Sequence, residues 1–471
     1  MRYVSLRQVC LLLGCLLFFT SYSTDLPVAL QNIIKRSPIP ADDISIWISS
    51  VDSAKPLVDY HSHISRPPAS TTKIITTGVA LLLLGKDFRW PTSFYTDGKI
   101  ERGHITGNLY IRGYGNPYMV KDSLQAMIAQ LRHANISHID GKVILDSSYF
   151  NNIQQNPNAF DGHGLEAYNA IPNALSIDFR TITIRINANK NAIELTTEPK
   201  LYHTKLINHL SFSQAKQCRG EGYKPRITVD NLQEIVTISG TISPSCKNRR
   251  LKAVIADAGD LFFAHFKEGW ELSGGSVGND WQYGHIDKYL SLLYQGLSKP
   301  LQKQIVPMNK LSNNLMARQL FLTIGAEILA PPATLDKSRW AVIDKLREIG
   351  LSVNNLFIDN GSGLSRKTHI SAEQFGQFLL FMHHSKAAPY FKRSLSIVGV
   401  DGTLKQRLKG TPLAGNAIGK SGALNNAKSI AGYLSAKNGR LYAYVILLEG
   451  KRARTGRPLM DEIMKWIYNI T

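Results

Sequence analysis

The feature that most constrains this chain is Pro67-Pro68-Ala69-Ser70-Thr71-Thr72-Lys73 and the apolar stretch that follows it, Ile74 to Leu84. Two prolines set an extended approach. The helix that follows carries Ile74, Ile75, Val79, Ala80, Leu81, Leu82, Leu83 and Leu84, and Gly85 stands where it should end. A helix apolar on nearly every side belongs inside a large domain. Ser70 and Lys73 are spaced i, i+3 and share one side of its first turn. A hydroxyl beside an amine at a helix N-terminus is one way to activate a weak nucleophile. By itself the pair is equally a helix cap and a solvated charge, so its partners must decide.

At 471 residues the chain has room for two or three domains. Its net charge of +20 suits an anionic partner. The basic residues are scattered, though, and runs such as Lys247-Asn248-Arg249-Arg250 are short. No nucleic-acid-binding signature appears, so no nucleic acid partner is expected. Residues 1–23 read as a signal peptide: Arg2 and Arg7, an apolar run from Val9 to Phe19, then Ser21-Tyr22-Ser23. Leu12-Leu13-Gly14-Cys15 offers the alternative of a lipid-modified Cys15, against which the apolar run continues through Leu16-Leu17-Phe18-Phe19. No other stretch is long and apolar enough to span a bilayer. The expectation is an exported, periplasmic protein, held at a membrane at most peripherally. Its two remaining cysteines, Cys218 and Cys246, then imply a disulfide.

Hydropathy patterning predicts a strand at Ile44–Val51 with a hairpin partner at 57–60, then the Ser70 helix. Residues from about 86 to 255 read as short strands and turns, including 92–94, 105–112, 142–145, 175–187, 192–196 and 227–242. One helix is expected there at 121–131. Beyond lie a helix at 257–265, a strand-like run at 270–277, helices at 289–297, 313–328, 334–349 and 372–384, and strands at 416–420, 429–434 and 441–448. A final amphipathic helix covers 458–470. Strands at both ends of the chain suggest one α/β domain closed from both termini, with the β-rich middle inserted after the Ser70 helix.

Three later segments speak to Ser70. Ser312 and Asn314, one residue apart, precede an apolar helix; a plain N-cap is the alternative. Lys420-Ser421-Gly422 puts a cation, a hydroxyl and a bare backbone on a strand that enters a turn, which suits a carboxylate, or is simply a β-turn. Asn360-Gly361-Ser362-Gly363 is a Gly/Ser loop without the context of a phosphate loop. The histidines lack metal-ligand spacing, and no metal or other cofactor is expected.

The order Ser-x-x-Lys, Ser-x-Asn, Lys-Ser-Gly is that of penicillin-binding proteins and serine β-lactamases. With Val398-Gly-Val-Asp-Gly-Thr-Leu404 and Ser429-Ile-Ala-Gly-Tyr433 added, the chain resembles the D-alanyl-D-alanine carboxypeptidase/endopeptidase family, the class C low-molecular-mass penicillin-binding proteins. The resemblance covers nearly the whole mature chain. It implies an α/β transpeptidase-like domain (24–85 and 286–471) interrupted by two nested β-rich domains (86–180 with 255–285, and 181–254). It also implies that Asp146 reaches the site and contacts the amino group of a substrate side chain. Departures are Ser421 for the usual Thr, Asn116 and Asn360 for common acids, Arg318 where an acid often stands, and missing tryptophans after Asp146.

The implied chemistry is hydrolysis of peptidoglycan stem peptides, with β-lactams as covalent ligands. Ser70 attacks, Lys73 takes its proton, Ser312 relays it, and Asn314 holds Lys73 and the peptide amide. Lys420 and Ser421 receive the terminal carboxylate, Gly422 leaves room for the ligand backbone, and the amides of Ser70 and Leu424 hold the oxyanion. A serine β-lactamase and a non-catalytic murein-binding scaffold are the alternatives. Carboxypeptidase and DD-endopeptidase activities are not separated at this level.

Overall fold

The computed structural model describes residues 26–471 apart from 54, 152–154, 231–233 and 288. The expected signal peptide and Cys15 lie outside the described residues. Six antiparallel strands form the central sheet, in the order 58–60, 44–50, 441–449, 427–435, 417–424, 396–397. Both ends of the chain therefore build it, and Trp47 stands opposite Val445. The strand Leu441–Glu449 is buried on both sides because its side chains alternate between two cores. Val445 and Leu447 join the core around Ile74, Phe321 and Phe378. Ile446 and Leu448 join the core beneath the terminal helices Val28–Lys35 and Arg457–Tyr468.

The helix Thr72–Leu83 runs through the first of these cores, with ten of its twelve residues buried. Its polar groups are paired: Thr76 Oγ1 donates to Gly361 O at 2.6 Å and Thr77 Oγ1 to Lys73 O at 2.7 Å. Such pairing is what permits a threonine pair inside an apolar helix. Among the described residues no helix is long and apolar enough to cross a membrane.

Between the two halves of the sheet lies a β-rich region. A five-stranded sheet runs in the order 281–283, 143–146, 109–113, 91–96, 291–297. Two three-stranded sheets occupy residues 182–253. Within them Cys218 and Cys246 are disulfide-bonded across 28 residues. Closing a loop of that length contributes about 3.5 kcal/mol. Reduction is expected to melt this unit early in a thermal scan, while acylation of the intact sheet domain by labelled penicillin persists; equal melting curves with and without reductant would contradict this.

Four expectations on elements fail. Residues 289–297 are not helical: Ser291–Leu297 is a strand paired with Pro91–Thr96. Pairing with a ready strand overrides the leucine-rich local preference. The chain consequently stays in the inserted sheet past residue 286, where the catalytic domain was expected to resume, and rejoins it at the helix Leu301–Lys310. That helix escaped prediction because Pro307 lies inside it. Trp270 is helical, since Phe262, Phe266 and Trp270 continue one apolar stripe of the helix Ala258–Leu272. The strand expected from 175 starts at Ile182, after left-handed residues 178–180.

Candidate active site

Ser70 sits in a 3-10 turn, Ala69–Thr71, that feeds the buried helix. Ala69 is left-handed, with φ 49°. That conformation costs a non-glycine residue about 1–2 kcal/mol. The turn is held by hydroxyls: Thr71 Oγ1 donates to Pro68 O at 2.6 Å, Ser429 Oγ to the same oxygen at 2.5 Å, and Thr72 Oγ1 to Ala69 O at 2.8 Å. Ser70 is thus part of a fastened turn, and the cap reading offered by the sequence does not apply.

Lys73 is fully buried. Its Nζ lies 3.1 Å from Ser70 Oγ, 2.7 Å from Asn314 Oδ1 and 2.6 Å from Ser362 O. Burial drives its pKa well below the usual lysine value, and the nearby cations Lys420 and Arg318 push it the same way. Arg318, which stands where the family often has an acid, therefore shapes the site. It is itself buried, which lowers its pKa to about 10, and its Nη1 donates to Ala170 O at 3.1 Å.

Asn314 reaches Lys73 from the first turn of the helix Asn314–Leu329. The cap of that helix is Asn313, whose side chain accepts from Met316 N. This frees Ser312 and Asn314 from capping. Ser312, with φ 59°, is the left-handed link between two helices and faces the same cavity as Ser70. That cavity, of about 390 Å³, is also walled by Thr403, Ser421, Gly422 and Ala423.

Lys420 to Ala423 lie on the strand Ala417–Leu424, past the short outer strand 396–397, which pairs only with 418 and 419. Lys420 is buried, its Nζ donates to Ser421 O at 2.7 Å, and burial lowers its pKa to about 7. Ser421 Oγ donates to Thr403 Oγ1 at 3.2 Å. A Cβ on Gly422 would stand 2.7 Å from Pro68 O and 2.8 Å from Ser70 N, so only glycine lets the strand pack on the Ser70 turn.

Two assignments expected from the sequence need correction. Asn416 O accepts from Ser435 N on the inner side of the strand Ala417–Leu424, whereas Ala417 O accepts from Val398 N on the outer side. Strand periodicity then aims the backbone of 418, 420, 422 and 424 inward and that of 419, 421 and 423 outward. The Leu424 amide faces its neighbouring strand, and the outward-directed amide next to Gly422 is that of Ala423. Asp146 is buried, and its carboxylate accepts from Ser148 N at 2.9 Å and Ile286 N at 3.1 Å, with Arg112 Nε 3.8 Å away. It is not on the wall of the Ser70 cavity. The Ser362 carbonyl was missed because a backbone acceptor leaves no signature in residue type. The Gly-Ser-Gly around it was the available signal.

A family model described as D-Ala-D-Ala carboxypeptidase 3 (S13) matches residues 26–470. The chain belongs to the D-Ala-D-Ala carboxypeptidase 3 (S13) family. Among curated relatives, a D-alanyl-D-alanine carboxypeptidase DacB of Haemophilus influenzae is 24% identical over 480 residues, covering 98% of each chain. The crystal structure of penicillin binding protein 4 (dacB) from Haemophilus influenzae superposes with a TM-score of 0.79 at 22% identity, covering 94% of this chain and 99% of that one. A second structure of that protein, complexed with a β-lactam, gives a TM-score of 0.77 at 22% identity, covering 94% and 100%. These likenesses show the penicillin-binding-protein fold, and membership of the S13 family makes the chain a serine-type D-Ala-D-Ala carboxypeptidase.

Proposed function

We propose that Ser70 is the nucleophile of this carboxypeptidase, that Lys73 is its general base, and that the substrates are peptidoglycan stem peptides ending in D-Ala-D-Ala and cross-links of the same linkage. The observation that carries the reading is the surroundings of Lys73 Nζ. A neutral amine has two hydrogens and one lone pair. Asn314 Oδ1 and Ser362 O take the two hydrogens. The lone pair is left for the Ser70 hydroxyl, 3.1 Å away. The depressed pKa favours the neutral amine relative to an ordinary lysine.

Ser70 Oγ attacks the penultimate carbonyl and its proton passes to Lys73. The oxyanion takes hydrogen bonds from the amides of Ser70 and Ala423. Ser312, in the same cavity, relays the proton to the leaving amine, the C–N bond breaks, and water later hydrolyses the acyl-enzyme. Asn314, holding Lys73, also faces the substrate amide. Lys420 with the Ser421 and Thr403 hydroxyls receives the terminal carboxylate. β-Lactams carry an amide and a carboxylate in a similar relation and acylate the same serine. In this reading the catalytic domain is 24–85 with the chain after Leu297, the rest is inserted, and the protein works in the periplasm after removal of residues 1–23.

Incubation with labelled penicillin and peptide mapping tests it. The label is expected on Ser70; no label, or label elsewhere, overturns the reading. Turnover of the adduct within seconds would instead mark a β-lactamase.

Two buried lysines titrate in opposition. As pH falls, Lys73 gains a proton through its lowered pKa and the base is lost. As pH rises through about 7, Lys420 loses the charge that holds the carboxylate. The kcat/KM for a stem pentapeptide is therefore expected to be bell-shaped, with an alkaline limb near 7 in the free enzyme. Lys420→Arg is expected to move that limb above about 9, because a guanidinium stays charged. A limb that stays put in the variant would remove Lys420 from this role.

A further inference from the structure

The inserted region reaches the Lys73 cluster through its backbone. Its 3-10 turn Ala167–Asn169 lies against the helix Asn314–Leu329 and offers that helix three successive carbonyls. Asn314 Nδ2 donates to Tyr168 O at 3.3 Å. Arg318 Nη1 donates to Asn169 O at 3.5 Å and to Ala170 O at 3.1 Å. Asn314 and Arg318 are four residues apart, so they stand on one side of the helix, one turn from each other. The Tyr168 carbonyl decides which way round the Asn314 amide sits. A carbonyl only accepts, so it takes the nitrogen of the amide. The amide oxygen is then turned to Lys73 Nζ, 2.7 Å away. With the amide reversed, its N–H would occupy the lysine lone pair that Ser70 needs.

Tyr168 O is itself held from both sides. Leu165 O accepts from Val254 N at 2.8 Å within the inserted region, and Arg318 holds 169 and 170. A carboxylate at 318 would meet those carbonyls as acceptor against acceptor and release them. Folding alone does not explain the arginine. It is buried, and its Nε has no hydrogen-bond partner among the described residues. The acids on the elements packed around it are engaged elsewhere. Asp359, which favours the charge of Arg318, lies 3.5 Å from Arg339 Nη2. Asp161 takes Tyr168 Oη at 2.9 Å and Asn169 Nδ2 at 2.8 Å. A buried cation held only by carbonyls is costly to folding. Resting on Ser70 as nucleophile and Lys73 as base, we propose that Arg318 is a positioning residue for acylation: it fastens the backbone at 169 and 170, so that Tyr168 O keeps the oxygen of the Asn314 amide on Lys73, and it sets a fixed charge beside the same amine. That charge has a sign that can be read. After burial, Lys420 and Arg318 are the cations that oppose a proton on Lys73, so loss of Arg318 lets the amine hold its proton to higher pH.

The second-order rate of acylation by labelled penicillin, followed as a function of pH, tests it on the purified protein. In Arg318→Met the rate at the optimum is expected to fall about 30-fold, and the acid limb to move up by about one pH unit. Arg318→Lys keeps the charge and a donor. Its acid limb should stay with that of the unmodified enzyme, and its rate should recover to within about fivefold. In an Asn314→Ala background the methionine should cost less than about threefold, because the amide it positions is gone, while the limb still moves. A limb that stays put in Arg318→Met overturns the proposal. So does the full loss of rate persisting in the Asn314→Ala background, which would make Arg318 a folding residue; failure of both Arg318 variants to melt cooperatively has the same meaning. The two readings are separable. Label on Ser70 of the unmodified protein, with Arg318→Met indistinguishable from it, sinks this inference alone, whereas no label on Ser70 sinks both.

Discussion

Ser70→Ala is expected to form no adduct with labelled penicillin and to lose D-alanine release by on the order of 10⁵-fold. Lys73→Met should cost about 10³-fold in acylation, the usual range for a positioned base. The two losses should not add. Ser70 Oγ and Lys73 Nζ act through one proton at 3.1 Å, so the double variant is expected to match Ser70→Ala alone. Rates of D-alanine release from a stem pentapeptide by the four proteins would check this. A double variant clearly worse than Ser70→Ala would mean that Lys73 serves another step. The methionine also removes a buried amine whose charged form burial, Lys420 and Arg318 all oppose, so the Lys73→Met protein should melt no lower than the unmodified one. That separates lost chemistry from lost folding.

Much of this site was legible because its chemistry needs particular side chains. Ser70, Lys73, Asn314 and Lys420 each announce themselves by residue type at a set spacing, and the buried helix behind Ser70 is visible as an unbroken apolar run. What depended on backbone direction was not legible. The outward amide is that of Ala423, one residue from the expected Leu424, because strand phase is fixed by pairing with 427–435 and not by residue type. Asp146 misled for a different reason. A carboxylate after a strand in an inserted domain reads as a reaching acid, yet Ser148 N and Ile286 N occupy it. The Ser291–Leu297 strand was hidden by its own leucines, since its partner at 91–96 is some two hundred residues away.

The Gly361-Ser362-Gly363 loop carries the second large expectation. Gly363 has φ +79°, and a Cβ there would overlap the Ala69 carbonyl oxygen and come within 2.9 Å of Thr72 Oγ1. The obstacle is backbone, on the strained residue just before Ser70, so it cannot swing aside as a flexible side chain would. Gly363→Ala must therefore push the loop away. The Ser362 carbonyl then leaves Lys73 Nζ, one of the two acceptors that orient its lone pair is lost, and the buried amine is left short of a partner. A stability loss of about 3 kcal/mol is expected from the left-handed alanine and the clash together. Acylation by penicillin should fall about 30-fold, on the order of 2 kcal/mol of lost positioning. Gly85→Ala is the control. Gly85 has nearly the same φ, +80°, but nothing stands within 4 Å of its added Cβ. It should cost about 1 kcal/mol of stability and leave acylation within twofold. The comparison isolates the clash from the backbone conformation. If the two variants acylate alike, the loop is only a turn and Ser362 O does not set the Lys73 amine; if Gly363→Ala alone is slowed, Ser70 owes its activation to a backbone oxygen that lies 289 residues from Lys73 in sequence.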